Sequence, residues 1–186
     1  MIDFLYSVDV GIFYFINHTL ANPIFNKFFP FITDVKNWYL TYVVLWLICF
    51  FKGGRTGKVA AIGSIFVIIA SDQISSNLIK NFVGRIRPCN VLSNVNILVG
   101  CTGSFSFPSS HAVNNFAIAM FFYKFFPKLK YVLFVSAFFV ALSRPYVGVH
   151  YPSDIFFGAL IGTLIGYIMA IIAFKTDLFI KQKFNK

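Results

Sequence analysis

Two of the three histidines in this 186-residue chain lie in polar segments next to long apolar runs. His111 belongs to FPSSHAVNNF, and His150 belongs to SRPYVGVHYPSD, where Asp154 follows four residues later. A carboxylate can hydrogen-bond one imidazole nitrogen and leave the other free to attack an electrophile. The pattern predicts an oriented histidine at position 150 and a second proton-transfer group at position 111. Taken alone, a His–Asp pair can also serve only to help the chain turn.

Cationic side chains that could hold an anion accompany these histidines. Lys80 and Arg87, in KNFVGRIRP, are seven residues apart, so on a helix they share one face about 10 Å apart along the axis. Arg144 precedes His150 at the predicted end of an apolar run. Such cations also occur as snorkelling side chains that anchor helix ends. Cations, an oriented histidine and a second histidine together match the needs of phosphoryl transfer through a phosphohistidine.

The segment PSSH predicts the start of a helix. Ser109 suits the N-cap position, which is its purely structural interpretation. The free N–H groups and the dipole at such a helix start also form an anion site. Because the dipole disfavours an imidazolium in the first turn, a protonated His111 would need a bound anion beside it.

The composition indicates an integral membrane protein of the all-α class. Hydrophobic residues make up 58% of the chain and charged residues only 12%, about half the charged share of a soluble domain. We expect one domain, residues 1–186, that forms a polytopic helix bundle with about six spans. The segment VGIFYFINHTLANPIFNKFFPFI is either a first span, which we favour, or an interfacial helix. The other spans are expected at about 38–51, 59–78, 111–126, 131–142 and 155–174.

The net charge of +10 follows a topological pattern. Outside the motifs, lysine and arginine concentrate in the segments 52–58, 124–130 and 175–186. With an even number of spans these segments lie on one side, which the positive-inside rule makes cytoplasmic. The histidines and their cations then lie on the outer side, where topology alone does not favour cations. No basic face is left over for nucleic acid, so we expect none to bind.

At these residues the chain resembles the type 2 phosphatidic acid phosphatase (PAP2) superfamily, which includes lipid phosphate phosphatases and vanadium haloperoxidases. The family pattern has three parts: Lys, six residues, Arg-Pro; Pro-Ser-Gly-His; and Ser-Arg, five residues, His, three residues, Asp. The matching segments here are 80–88, 108–111 and 143–154. One position departs from the pattern, because Ser110 replaces the usual glycine. Serine still supplies the backbone N–H, so we expect an effect on substrate choice and not on activity.

The resemblance implies a role for each matched residue. His150 attacks phosphorus, Asp154 orients His150, and His111 protonates the leaving oxygen and then helps to activate water. The residues implied to hold the phosphate are Lys80, Arg87, Ser109, Ser110 and Arg144. The resemblance implies a metal-independent hydrolase with no cofactor.

Family members with this compact layout are bacterial, and the resemblance implies a lipid phosphate as substrate. Lipid A 1-phosphate or undecaprenyl diphosphate is favoured, and phosphatidylglycerol phosphate or phosphatidate is the alternative. We expect a multi-pass protein of the bacterial inner membrane with its site on the periplasmic face, and the sequence leaves its oligomeric state open. A haloperoxidase is disfavoured because those enzymes are soluble. An idle lipid-binding or transport bundle would leave every ionisable group at the surface without a use.

Three further predictions concern residues around the motifs. Cys89 and Cys101 lie in one outer loop, on the oxidising side, so we predict a disulfide between them and a reduced Cys49; two free thiols are the alternative. Asp72, inside a span, is expected to hydrogen-bond within the bundle, with Asn77 or a neighbouring span as its partner; contact with the substrate head group is the lesser alternative. Arg85, outside the motif, is a candidate for contact with a second phosphate or a sugar.

Overall fold

A computed structural model describes residues 2–184 and shows nine α-helices, with short π-helical and 3-10 turns and no strand in that range. The helices are α1 (Ile2–Tyr14), α2 (Pro23–Thr33), α3 (Tyr39–Lys52), α4 (Gly54–Asp72), α5 (Lys80–Val83), α6 (Pro88–Val91), α7 (Ser110–Phe125), α8 (Lys130–Tyr146) and α9 (Pro152–Phe184). π-Helical turns continue α1 over Phe15–Thr19 and join α4 to α5 over Gln73–Ile79. The all-helical class predicted from the sequence is confirmed.

Three helical stretches are long and apolar enough to cross a membrane: Gly54–Val91, Pro127–Tyr146 and Pro152–Lys183. The expected spans at 38–51 and 111–126 coincide with α3 and α7, which are shorter helices. The total of about six spans therefore stays a prediction. Large apolar side chains cover the outside of the bundle, including Leu40, Phe66 and Leu164, as a lipid-facing surface requires.

The expected first span is two helices and not one. The chain leaves the helical path after Thr19, and the Asn22 side chain caps α2 by accepting hydrogen bonds from the N–H groups of Ile24 (3.0 Å) and Phe25 (2.9 Å). Pro23 occupies the first position of α2, where its missing N–H costs nothing. With 11 residues, α2 is about 16 Å long, roughly half of the hydrocarbon thickness.

Helix α7 lies at the centre and packs most closely against α9. A Cβ atom added to Gly162 would lie 2.2 Å from the Val113 carbonyl oxygen, and one added to Gly166 would lie 2.2 Å from that of Ala117. Only glycine therefore permits this approach of the two backbones. The contact continues to Gly158, whose added Cβ would lie 3.1 Å from the Ser109 carbonyl oxygen. This close packing holds the N-terminal ends of α7 and α9 side by side.

Candidate active site

The predicted site residues gather around the N-terminal ends of α7 and α9. The Ser109 N–H donates to the Asp154 carbonyl oxygen at 3.2 Å, which links the two helix starts directly. Five of the predicted residues are buried: Lys80, Arg87, Ser109, His150 and Asp154. The other three, Ser110, His111 and Arg144, are half-buried. The charge of Lys80 lies within interaction range of both Arg87 and Arg144. Three segments far apart in sequence thus supply one cationic cluster.

His150 and Asp154 form an oriented pair. Nδ1 of His150 lies 3.4 Å from Oδ2 of Asp154, and its Nε2 lies 3.1 Å from Nη1 of Arg87. A guanidinium can only donate hydrogen bonds, so Nε2 is the accepting nitrogen with the free electron pair. The hydrogen therefore resides on Nδ1, toward the carboxylate, and Nε2 is the nitrogen available for attack.

Burial dominates the protonation of His150. It lowers the pKa of His150 to about 3, although the hydrogen bond and the charge of Asp154 act in the opposite direction. Arg144 and Arg87 lower the pKa of His150 further through charge repulsion. The imidazole is thus neutral at physiological pH, which is the form that a nucleophile requires.

Asp154 is held by groups that occupy no defined position of the family pattern. Its Oδ2 accepts a hydrogen bond from the Tyr151 N–H at 2.8 Å and another from the Ser106 hydroxyl. Its Oδ1 accepts from Nη1 of Arg85 at 2.7 Å. Ser106 also lies 3.4 Å from Nδ1 of His150. No sequence signal marked Ser106, because a serine in a polar loop is too common to single out.

Arg87 is fixed from several sides. Its Nε donates to the Ser104 carbonyl oxygen at 2.8 Å, and its Nη2 donates to the Ser104 hydroxyl at 3.0 Å. Nη1 donates to the Val149 carbonyl oxygen at 3.0 Å and also faces His150. These contacts use two backbone carbonyls and a hydroxyl but no carboxylate, so the positive charge of Arg87 stays available for an anion beside His150.

Two buried polar atoms in the site have no hydrogen-bond partner among the described residues. They are the hydroxyl oxygen of Ser109 and Nε of Arg144. Ser109 occupies the N-cap position of α7, but its side chain accepts no capping hydrogen bond. Its purely structural interpretation as a cap is therefore wrong. A buried polar group without a partner costs about 1–3 kcal/mol, and phosphate oxygens would supply the partners that both atoms lack.

Thr33, at the end of α2, connects two site residues. Its hydroxyl accepts a hydrogen bond from Nη1 of Arg144 at 2.7 Å, and its carbonyl oxygen lies 3.2 Å from Nε2 of His111. A carbonyl oxygen only accepts, so Nε2 of His111 carries a hydrogen. Sequence reasoning missed Thr33, because it lies in no motif and reaches the site only through the packing of α2 on α8.

The Ser110 side chain contacts the π-helical turn that follows α4. Its hydroxyl lies 3.0 Å from the Ser76 hydroxyl, and Ser76 donates to Oδ1 of Asp72 at 3.2 Å. Asn114 approaches the same Asp72 oxygen at 3.5 Å. The expectation that Asp72 hydrogen-bonds within the bundle is confirmed, with Ser76 and, from the neighbouring helix α7, Asn114 as its partners. Asn77, the other suggested partner, donates to Gln73 instead. The residue that replaces the family glycine thus bonds to a neighbouring helix.

Arg85 is directed at carboxylates of the protein itself. Its two terminal nitrogens are engaged at 2.7 Å, Nη1 with Asp154 and Nη2 with Asp9. Contact of Arg85 with a second phosphate or a sugar stays a prediction. Asp9, on α1, was not identified from the sequence.

A disulfide bond closes the loop between α6 and α7. Cys89 and Cys101 are bonded through their sulfur atoms across 12 residues of sequence, and Cys49 is a free thiol. Cys89 directly follows Arg87 and Pro88 and lies in α6, so the bond ties the end of the first motif to the loop that leads to Ser109. Among residues 2–184 no group of three His, Cys, Asp or Glu side chains is placed to hold a metal ion.

Comparison with known proteins identifies the family. Residues 61–177 match the PAP2 superfamily. A lipid A 4′-phosphatase of Bacteroides thetaiotaomicron is 30% identical over 94% of this chain and 81% of its own. An undecaprenyl-diphosphatase of Sulfolobus acidocaldarius is 28% identical over 86% and 76%. The crystal structure of a PAP2-type phosphatidylglycerolphosphate phosphatase from Bacillus subtilis superposes with a TM-score of 0.71, 25% identity and coverage of 92% and 87%. The chain belongs to the PAP2 superfamily and is a membrane phosphatase.

Proposed function

We propose that this protein removes a phosphate from a bacterial envelope lipid through a phosphohistidine intermediate, and that its preferred substrate is a lipid A monophosphate. One observation carries the chemical part: the buried neutral His150, with Nδ1 toward Asp154 and Nε2 beside Arg87. The similarity to a lipid A 4′-phosphatase along most of both chains supports the substrate class. It favours the 4′-phosphate of lipid A over the lipid A 1-phosphate and undecaprenyl diphosphate that the resemblance implied.

In the first step the lone pair on Nε2 of His150 attacks phosphorus. The N–P bond forms while the P–O bond to the lipid breaks, and His111 donates a proton to the leaving oxygen. Because Nε2–H of His111 is held by the Thr33 carbonyl oxygen, the proton that moves is one on Nδ1, which His111 carries only in the imidazolium form that the bound phosphate anion favours. Asp154 stabilises the positive charge that the His150 ring gains.

In the second step water attacks the phosphohistidine. His111, now neutral, takes a proton from the water, the N–P bond breaks, and inorganic phosphate leaves. The positive charges of Lys80, Arg87 and Arg144 offset the charge on the phosphate oxygens in both steps. The Ser109 hydroxyl and Nε of Arg144, which lack protein partners, donate hydrogen bonds to those oxygens. Every proton is carried by the protein or by water, so we expect hydrolysis without a metal.

The site faces the periplasm in this proposal. The lysine- and arginine-rich segments are separated from the motifs by apolar helices. The positive-inside rule favours a cytoplasmic position for such segments, which leaves the motifs on the periplasmic side. Cysteine labelling tests the orientation with Lys128→Cys and Ser93→Cys, each in a chain without native cysteines. An impermeant reagent on intact cells should label position 93 and spare position 128, and the reverse pattern would refute the proposed orientation.

A second candidate substrate is undecaprenyl diphosphate. The relative from Sulfolobus acidocaldarius with that activity in its name covers 86% of this chain. Phosphate release decides between the candidates, measured on lipid A with a phosphate only at position 4′, lipid A with one only at position 1, undecaprenyl diphosphate, phosphatidylglycerol phosphate and phosphatidate. We expect the highest kcat/KM on the 4′-phosphate and none in His150→Ala. Faster hydrolysis of undecaprenyl diphosphate would replace the first candidate with the second.

A further inference from the structure

One guanidinium in the site is shared between two carboxylates from opposite ends of the chain. Arg85 donates from Nη1 to Oδ1 of Asp154 and from Nη2 to Oδ2 of Asp9, both at 2.7 Å. Asp9 is 9% exposed and Asp154 is fully buried. Charge-assisted hydrogen bonds of this kind are strong where water is largely excluded. Neither Asp9 nor Arg85 belongs to the three motifs that carry the proposed chemistry.

The two oxygens of Asp154 have separate partners. Oδ1 is occupied by Arg85, while Oδ2 faces Nδ1 of His150 and also accepts the Tyr151 N–H. Rotation of the carboxylate about its last bond would break the Arg85 contact. Arg85 thereby fixes the plane of the carboxylate and keeps Oδ2 toward the histidine.

Arg85 is itself held on its other sides. Its guanidinium carbon lies 3.8 Å from the centre of the Tyr151 ring, and Nη1 also donates to the Ser153 hydroxyl at 2.7 Å. Asp9 accepts the Ser153 N–H at 2.9 Å and the Ser153 hydroxyl as well. Asp9 thus binds both Arg85 and the first turn of α9, and it docks α1 against the catalytic pair.

The charges give Asp9 a second effect. If Arg85 had Asp154 as its only partner, the cation would neutralise the carboxylate that has to stabilise a positively charged His150 ring. With Asp9 present, two carboxylates share one guanidinium, and the group keeps one net negative charge beside the histidine. An opposite charge at this distance favours the charged form of the ring.

We propose that Asp9 and Arg85 are positioning residues for the hydrolysis: Asp9 holds Arg85, and Arg85 holds Asp154 with Oδ2 toward His150. This inference rests on the proposed function of His150 and Asp154. It also means that α1, which carries none of the motifs, helps to position the catalytic pair through Asp9.

Kinetics of matched variants test the proposal. Asp9→Asn and Arg85→Gln should each lower kcat about 10- to 100-fold, with KM little changed. This is the range found when a side chain that binds a metal loses the partner that orients it. Asp9→Glu should restore part of the rate, and Asp3→Asn, an exposed carboxylate on the same helix, should match the wild type. In an Asp154→Asn background, Asp9→Asn should have no further effect.

Each contrary kinetic outcome refutes the proposal in a recognisable way. An increase in KM at constant kcat would mean that Arg85 binds substrate directly. A further loss of rate in the Asp154→Asn background would mean that Asp9 does not act through Asp154. Thermal unfolding measures the loss of folded protein in each variant. A rate that falls only in proportion to that loss would mean that Asp9 only stabilises the fold.

Nitrogen NMR of ¹⁵N-histidine-labelled protein separates this inference from the proposed function, because it requires no turnover. The His150 resonances should show hydrogen on Nδ1 and none on Nε2 in the wild type and in Asp3→Asn, with a changed distribution in Asp9→Asn and Arg85→Gln. Unchanged His150 resonances in both variants would overturn the positioning role. A wild type that shows these resonances but hydrolyses none of the lipid phosphates would instead overturn the proposed function.

Discussion

Nε2 of His150 lies 3.1 Å from Nη1 of Arg87. The nitrogen with the free electron pair thus faces a cation that the carbonyl oxygens of Ser104 and Val149 hold in place. In the proposed mechanism a phosphate oxygen would approach Nε2 of His150 at this contact. A phosphate that reaches His150 must also meet Arg87, which couples binding of the anion to its alignment for attack.

The first prediction concerns the shape of the Arg87 side chain. Arg87→Lys should lower kcat/KM about 100-fold, because one ammonium group cannot replace a planar fork that contacts Ser104, Val149 and the substrate together. Phosphate release from the preferred lipid is the measurement. Arg55→Lys is the matched control, since Arg55 forms an exposed ion pair with Asp177. Equal activity of Arg87→Lys and the wild type would contradict the proposed role of the guanidinium.

The second prediction concerns Thr33. Thr33→Val keeps the size of the side chain and the carbonyl contact with His111, but it removes the hydroxyl that Arg144 binds. We expect KM to rise about 10-fold, consistent with a hydrogen bond to a charged group, and kcat to change less. Thr41→Val, at an exposed position of α3, is the control. A fall in kcat at constant KM would indicate that the hydroxyl serves His111 and not Arg144.

The third prediction concerns stability against pH. The pKa of His150 is lowered by burial to about 3 in the folded protein, against about 6.5 in an unfolded chain. At a pH between these two values, His150 is protonated in the unfolded chain and neutral in the folded chain. The contribution of His150 to the free energy of unfolding should therefore be greatest above about pH 6.5. It should decrease as the pH falls, by up to about 3 kcal/mol near pH 4.5.

A matched variant isolates the contribution of His150. His150→Gln cannot take up this proton in either state, so its unfolding in detergent should depend less on pH than that of the wild type. Phosphate must be absent from the buffer, because a bound anion would favour the protonated ring. Parallel pH curves for the two proteins would show that His150 titrates normally in the folded state.

The fourth prediction concerns the Cys89–Cys101 bond. In protein exported to an oxidising compartment, alkylation without reductant should modify only Cys49, and reduction should expose two further thiols in the intact mass. Loss of the bond in a Cys89→Ser and Cys101→Ser double variant should lower the free energy of unfolding by about 3 kcal/mol. Cys49→Ser is the control. Three thiols labelled before reduction would contradict a disulfide in the exported protein.

The sequence predicted the parts of this molecule that depend on local pattern and exact spacing. The helical class follows from long apolar runs, and the residues now found together at the ends of α7 and α9 could be named from three spaced motifs. The joining of Cys89 to Cys101 followed from their shared loop and compartment.

The residues that the sequence did not identify act through contacts that only packing creates. Asp9 and Thr33 lie in helices without motifs. Each bonds to an arginine that is distant in sequence, Asp9 to Arg85 and Thr33 to Arg144. The two carboxylate partners of Arg85 could not be inferred from the spacing of the motifs. The segment of the first expected span is divided between two helices for a local reason, since Asn22 and Pro23 favour the start of a new helix over continuation of the old one.

The central claim is that His150 carries the phosphoryl group during turnover. Lipid substrate labelled with ³²P, mixed with enzyme and quenched within one turnover, should yield a phosphoprotein that is stable to base and labile to acid, with the label on His150 by peptide mapping. His150→Ala should carry no label, and Asp154→Asn should accumulate it more slowly. Release of phosphate by the wild type with no labelled protein at any quench time, or a label on another residue, would contradict the phosphohistidine mechanism.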